Sequence, residues 1–139
     1  MPGVGVRGVF DGVGADFETF WAERRICLLA TVAGDGTPHT VAVGVTVDLA
    51  GGLARVIARR GSQKIRNVLA AGEGGARVAV TGIDGTRWST LQGRGIVRSD
   101  RASVAEAERR YAQRYRTPRP HPERVVLEIA VDRILGSVR

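Results

Sequence analysis

The stretch Ile26 to Asp48 reads ICLLATVA, then GDGT, then PHTVAVGVTVD, and its reading decides the fold. Two β-branched runs flank a Gly-Asp-Gly turn, the chemistry of a tight antiparallel hairpin. In the second run, strand alternation points Val41, Val43, Val45 and Val47 one way and Thr40, Ala42, Gly44 and Thr46 the other. The first face is bulky and belongs in a core. The second is nearly flat, and suits packing against a helix, a subunit or a planar ring.

Working outward, LAGG turns the chain into a third strand, LARVIARR, ending in Arg59 and Arg60. The segment GSQKIRNVLAA then reads as a helix with Ser62 as N-cap and Ile65, Val68 and Leu69 on its apolar side. ARVAVTGI and RWSTLQGRGIVRS, joined by a DGT turn, form a second hairpin, and Gly93 and Gly95 within it predict a bulge or a tight corner. Asp100 caps a helix whose Val104, Ala107, Tyr111 and Tyr115 make one stripe, with Glu106 set to pair with Arg109 and Arg110. After the Pro-broken TPRPHP, RVVLEIAVDRIL reads as a last strand with Leu127, Ile129 and Val131 on one face. Before the hairpin, Asp16 caps a short helix that presents Phe17, Phe20 and Trp21 to the core. The order is helix, about three strands, helix, two strands, helix, strand. Curved, Gly-containing antiparallel strands without βαβ alternation predict a mainly β protein, a small closed or partly closed barrel.

The 139 residues suit one domain over 15–139, preceded by a Gly-rich, flexible segment over 1–14. No apolar run approaches the roughly 20 residues of a spanning helix, and the Gly-punctuated N-terminus lacks the apolar stretch of a signal peptide. Cys27 stands alone, so neither a disulfide framework nor a cysteine metal site is expected. A cytoplasmic protein is the expectation. Lys and Arg number 21 against 14 Asp and Glu, a net charge of +7. Such an excess points to a polyanionic small molecule or to nucleic acid, although an Arg-rich codon bias gives the same number. It leaves unexplained the setting of the single lysine, Lys64.

Three places could carry chemistry. At Arg59–Asn67 a strand leaves the sheet through Gly61 and enters a helix whose first turn holds Ser62, Gln63 and Lys64. Unpaired N–H groups and the dipole end there form an anion site, with Arg59, Arg60 and Lys64 adding charge; the bland alternative is an ordinary capped helix with solvated basic residues. His39, beside Pro38, opens the strand with the flat Thr40, Ala42, Gly44 face, and has no second ligand at metal spacing. It is a cofactor contact or simply a polar residue at a strand start. In YAQRYRTPRPHP, Arg114, Arg116 and Arg119 with Tyr115 among them could grip carboxylates and stack on a flat ligand, or form a solvated basic loop. No Ser-His-Asp or Cys-His arrangement is legible. An anion-binding barrel without an acid–base kit favours a bound cofactor that supplies the reactivity.

The segments LLATVAGDGTPHTVAVG, ARVIARRGSQKIRNV, RWSTLQGRGIV and RVVLEIAVDRILG together resemble the pyridoxamine 5′-phosphate oxidase-like split β-barrel superfamily, from about Phe17 onward. Within it, PHTVAVGVTVD, GSQK, RWSTLQGR and AQRYRTPRP are similar to the coenzyme F420-dependent reductases of actinobacteria, most of all the F420H2-dependent biliverdin reductase group. The resemblance implies a homodimeric split barrel binding a deazaflavin at the dimer interface. It implies a phosphate at Arg60, Gly61, Ser62, Gln63, Lys64 and Asn67, and a ring along His39, Thr40, Val41, Ala42 and Val43. Trp88 and Ser89 match positions near the cofactor, and Arg116 and Arg119 would hold its anionic tail or the propionates of the acceptor. The implied reaction is hydride transfer from reduced F420 to a conjugated acceptor such as biliverdin. FMN at the same phosphate site is the alternative cofactor. A basic nucleic-acid-binding module is a third reading, weakened by the lack of a recognition helix or RNA-binding aromatic motif.

Overall fold

A computed structural model describes residues 8–139. It contains seven strands in one antiparallel sheet and three helices. In chain order these are α1 (Ala15–Ala22), β1 (Cys27–Val32), β2 (Pro38–Val43), β3 (Thr46–Asp48), β4 (Leu53–Arg59), α2 (Gln63–Ala70), β5 (Ala76–Asp84), β6 (Arg87–Arg98), α3 (Arg101–Arg114) and β7 (Arg124–Gly136). The hydrogen-bonded order is β2-β1-β5-β6-β7-β4-β3. β2 and β3 therefore sit on opposite edges of the sheet while being joined by only Gly44 and Val45. The sheet must curl until its edges meet, and the result is a split β-barrel.

The continuous strand expected over Pro38–Asp48 is thus two strands, and there are four strands before α2 rather than three. The cause is visible at Gly44, where a Cβ would lie 2.8 Å from Tyr111 Cε2 and 3.1 Å from Tyr115 Cε2. The two rings stack on each other with centroids 4.9 Å apart and press on the backbone from α3. The break also shifts the alternation: Val43 and Val45 are buried as expected, but so is Thr46, while Val47 is only half-buried.

Val45 belongs to neither ladder, so its backbone groups need other partners. Its N–H donates to Tyr115 Oη at 3.0 Å, and its carbonyl accepts from Arg114 Nη1 at 2.6 Å. Tyr115 Oη in turn donates to Arg25 O at 2.8 Å, and Arg114 Nε to Glu23 O at 2.9 Å. The end of α3 thus ties the split to the link between α1 and β1. Burial pushes the Tyr115 hydroxyl up to about 12, so it keeps its proton for these bonds across the physiological range.

The core fills the barrel with Leu29, Val45, Val56, Val80, Leu91, Leu127 and Ile129, and α1 plugs it with Phe17, Phe20 and Trp21. The bulge expected near Gly93 lies between Gln92 and Gly93 in the β6–β7 pairing. A Cβ on Gly93 would meet Ala130 O at 2.1 Å, so only glycine fits. Asp100 caps α3 by accepting the Ser103 N–H at 3.0 Å, and Glu106 holds both Arg109 and Arg110, as expected. Asp16 instead lies inside α1, whose N-cap is Gly14, and accepts from Arg87 Nη2 at 2.7 Å. Of the Gly-rich 1–14 segment, residues 1–7 fall outside the described residues. From Gly8 on, the chain packs against the core, with Phe10 buried beside Phe17 at a ring distance of 5.7 Å. Among the described residues no helix is long and apolar enough to cross a membrane.

Tyr115→Phe leaves the Val45 N–H and Arg25 carbonyl without their partner, and should cost about 1–3 kcal/mol in urea unfolding. Gly44→Ala should cost a similar ~1–3 kcal/mol through overpacking of the two rings. Stability equal to that of the parent protein in both would refute the junction's role.

Candidate functional site

The flat end of β2, the last turn of β4, the start of α2 and the loop after α3 enclose a cavity of about 460 Å³. One wall is Ala42, Val43 and Gly44, closed behind by Tyr111, and the facing side is Ile57, Ala58 and Arg59. Lys64 enters from α2, and Arg116, Arg119, His121 and Arg124 from the loop and the start of β7. No Asp or Glu lines it. Arg124 is held by Glu108 at 2.7 Å, whereas Arg59, Lys64, Arg116 and Arg119 make no ion pair among the described residues. Four unpaired cations around one cavity make it a candidate anion site.

The start of α2 sharpens it. Ser62 occupies the N-cap position, but its hydroxyl donates to Arg59 O at 2.8 Å, and no side chain caps the helix. The first-turn N–H groups are left for a ligand. Burial, and then the charge of Arg59, pull the Lys64 ammonium below its ordinary 10.5. Both causes penalise the charged form, and a bound anion would relieve both.

The structure gathers some of the expected residues and separates others. Ala42, Val43, Lys64, Arg116 and Arg119 share the cavity. Arg60, Gly61 and Gln63 are exposed beside its α2 end, with Ser62 half-buried there. Asn67 is buried and spent on structure, accepting from Gln63 Nε2 at 2.6 Å and donating to Thr31 Oγ1 at 2.9 Å, which pins α2 to β1. Thr40 lies on the outer face of the sheet with Ala42, and Val41 is half-buried against the core. His39 is half-buried next to it, with its Nδ1 buried and without a partner. Ser89 is wholly buried and accepts the Trp21 Nε1–H at 3.0 Å. Trp88, 41% exposed, stands beside Ile83 on the outer face, away from this cavity. Arg114 and Tyr115 serve the barrel junction and do not line the cavity.

Tyr111, His121, Arg124 and the β4 segment Ile57–Ala58 are lining residues that sequence reasoning did not assign to the site. Tyr111 had a signal, since it lies on the core stripe of α3, one turn before Tyr115. His121 Nδ1 accepts the Glu123 N–H at 3.1 Å, so the neutral imidazole carries its proton on Nε2. It can offer a hydrogen bond from that atom.

With this geometry in hand, the relatives can be placed. The family model "Pyridoxamine 5′-phosphate oxidase" matches residues 14–137. The chain belongs to the pyridoxamine 5′-phosphate oxidase family. A protein described as F420H(2)-dependent biliverdin reductase, from Mycobacterium tuberculosis (strain CDC 1551 / Oshkosh), is 49% identical over 122 residues, 88% of this chain and 86% of that one. A solved structure described as an F420 reductase superposes with a TM-score of 0.69 at 24% identity, covering 88% of this chain and 98% of that one. HupZ of Group A Streptococcus superposes equally, with a TM-score of 0.69 at 16% identity over 89% and 93%. These last two share the split-barrel fold.

Binding of sulfate, whose charge does not change over this range, should be at full strength at neutral pH and fall as pH rises through the lowered Lys64 pKa, below 10.5. Arg59→Gln should move that fall to higher pH, because the like charge that depresses the ammonium is gone. A titration by calorimetry checks both, and a fall at the same pH in the variant would contradict the assignment.

Proposed function

We propose that this chain is a reductase that takes a hydride from reduced coenzyme F420 and gives it to a conjugated acceptor, with biliverdin, reduced at its central methine to bilirubin, as that acceptor. One observation carries the reading: a carboxylate-free cavity in which Arg59, Lys64 and the uncapped start of α2 face the flat strip Ala42–Gly44. The 49% identical relative is named for this activity, which supports it.

The residues fit the cofactor in their chemistry. The first-turn N–H groups of α2 with Lys64 and Arg59 would hold its phosphate, and Ala42–Gly44, without bulky side chains other than Val43, would lie along its planar ring. Arg116 and Arg119 would hold the carboxylates of its tail or the propionates of the acceptor, as bidentate forks suit carboxylates. When bound, the reduced deazaflavin supplies the hydride. The protein's part is to position both partners and to place positive charge where the anions sit. No carboxylate lines the cavity among the described residues, and the accompanying proton would come from solvent or from a water ordered by a nearby arginine.

The outer sheet face belongs to the same proposal. Thr40 and Ala42 of β2, Leu28, Ala30 and Val32 of β1, and Ala79 of β5 form a flat surface in which Leu28 is 39% and Val32 54% exposed. A second copy packed on this face through a twofold axis would cover it and bring Trp88 of one chain near the cavity of the other. On this account Trp88 contacts cofactor from across the interface, which explains its distance from the cavity of its own chain.

Lys64→Ala should weaken F420 binding about ten- to a hundredfold, the loss of one charge-assisted contact worth roughly 1.5–3 kcal/mol; undiminished affinity would remove the phosphate assignment. Parallel titration with FMN should give weaker binding, and turnover with biliverdin should yield bilirubin. Binding of F420 without turnover would keep the cofactor and discard the acceptor. Ala30→Arg should dissociate the dimer in analytical ultracentrifugation and weaken F420 binding together.

A further inference from the structure

Two polar side chains meet in the interior between α2 and β1, Asn67 at 4% exposure and Thr31 at 2%. Asn67 Nδ2 donates to Thr31 Oγ1 at 2.9 Å, and Asn67 Oδ1 accepts from Gln63 Nε2 at 2.6 Å. Gln63 Oε1 accepts in turn from Arg66 Nη2 at 2.6 Å. The chain of bonds thus runs from the exposed side of α2 to the core side of β1. Thr31 lies one residue past the β1–β5 pairing, which ends at Ala30. The other buried side chains of α2, Ile65 and Val68, hold the helix by apolar contact. Such contact is non-directional, and fixes the depth of a helix better than its place along a sheet. The bond from Asn67 to Thr31 is directional. Among the described residues it is the one side-chain hydrogen bond from Gln63–Ala70 to the sheet.

Lys64 stands one turn before Asn67 on the same helix, and lines the first cavity with Arg59 beside the uncapped first turn. A small slide or rotation of α2 would carry both off the anion with little change in buried apolar area, and hydrogen bonds weaken steeply with misalignment. We propose that Asn67, acting through Thr31, is a positioning residue of the anion site: the pair sets where α2 rests on β1, and so where its first turn and Lys64 meet the ligand. Asn67 also engages the Gln63 amide, which folds back along the helix and away from the first-turn N–H groups. Replacing both partners of a buried hydrogen bond by apolar groups of like shape is nearly neutral for stability, so what the pair contributes is placement. This role rests on the anion-site reading of the first cavity and not on the identity of the acceptor.

The probe is sulfate, titrated by calorimetry into the parent protein and into variants at Thr31 and Asn67. Thr31→Val combined with Asn67→Leu removes both partners at once and should keep the parent melting temperature. Its sulfate Kd should rise about tenfold, the loss of roughly one charge-assisted hydrogen bond. The pH at which its sulfate binding falls should also move up, because a displaced Lys64 loses the burial that depresses its ammonium. Thr31→Ser keeps the hydroxyl and should keep the parent Kd. Thr31→Val alone retains the bond between Asn67 and Gln63 and should raise the Kd several-fold; it carries the test where the double variant does not fold. Parent Kd and parent pH midpoint in the valine variants would show that apolar packing alone places α2. A lowered melting temperature with parent Kd would assign the pair to stability only. Either result overturns the positioning role. A parent protein that binds no sulfate would overturn the anion site itself, and this role with it.

Discussion

Two edges of one sheet are joined by a two-residue link, and the backbone of Val45 in that link has no strand to bond to. Everything about the site follows from how this is resolved. A buried N–H and C=O without partners would each cost about 1–3 kcal/mol, and in most sheets a neighbouring strand supplies them. Here α3 supplies them with side chains, Tyr115 to the N–H and Arg114 to the carbonyl. The same helix lays Tyr111 and Tyr115 on Gly44, so the link is held open rather than zipped. The opening is what lets the ends of β2 and β4 face each other across a cavity. A side chain at position 44 would push the rings away and remove the wall that they form.

The arginines divide by this geometry. Arg25, Arg55, Arg77, Arg87, Arg98, Arg109, Arg110 and Arg124 each meet a carboxylate. Arg114 is consumed by backbone carbonyls. Arg59, Arg116 and Arg119, with Lys64, stand around one cavity without a counter-charge among the described residues, which makes a local positive field there. Burial first, and then the charge of Arg59, disfavour the Lys64 ammonium in the free protein. An anion entering the cavity would offset that cost.

The fold was legible where the signals were local. The GDG turn, the Asp100 cap, the Glu106 pairings and the bulge at Gly93 each depend on residues close in sequence or on a backbone approach that only glycine permits. The break after Val43 was not legible, because its cause is two tyrosines about 70 positions away, and the alternation of Val41 to Val47 argues for continuity on its own. The same distance hid the fate of Arg114. Next to Arg116 and Arg119 it reads as one of three ligand arginines, yet as the last residue of α3 it faces the barrel while the other two, past the helix end, face the cavity. Asn67, one turn beyond Lys64, was drawn toward the anion site by proximity, but its side chain turns to Thr31 on β1.

The site was legible in its charge and not in its walls. Lys64 and the start of α2 announce an anion through chemistry that one turn of helix contains. Ile57, His121 and Arg124 reach the cavity only through tertiary packing, and nothing in their local sequence marks them. Trp88 sits between the two cases. Its side chain lies on the outer face that the proposed dimer would cover, and a role there would depend on symmetry that a single sequence does not contain. A site shared between copies needs residues that look idle in each one, and Trp88 and the strip from Thr40 to Val32 have that character. In the proposed dimer the outer face and the cavity would serve one requirement: both would offer smooth sheet to a flat partner, one inside the split and one across it.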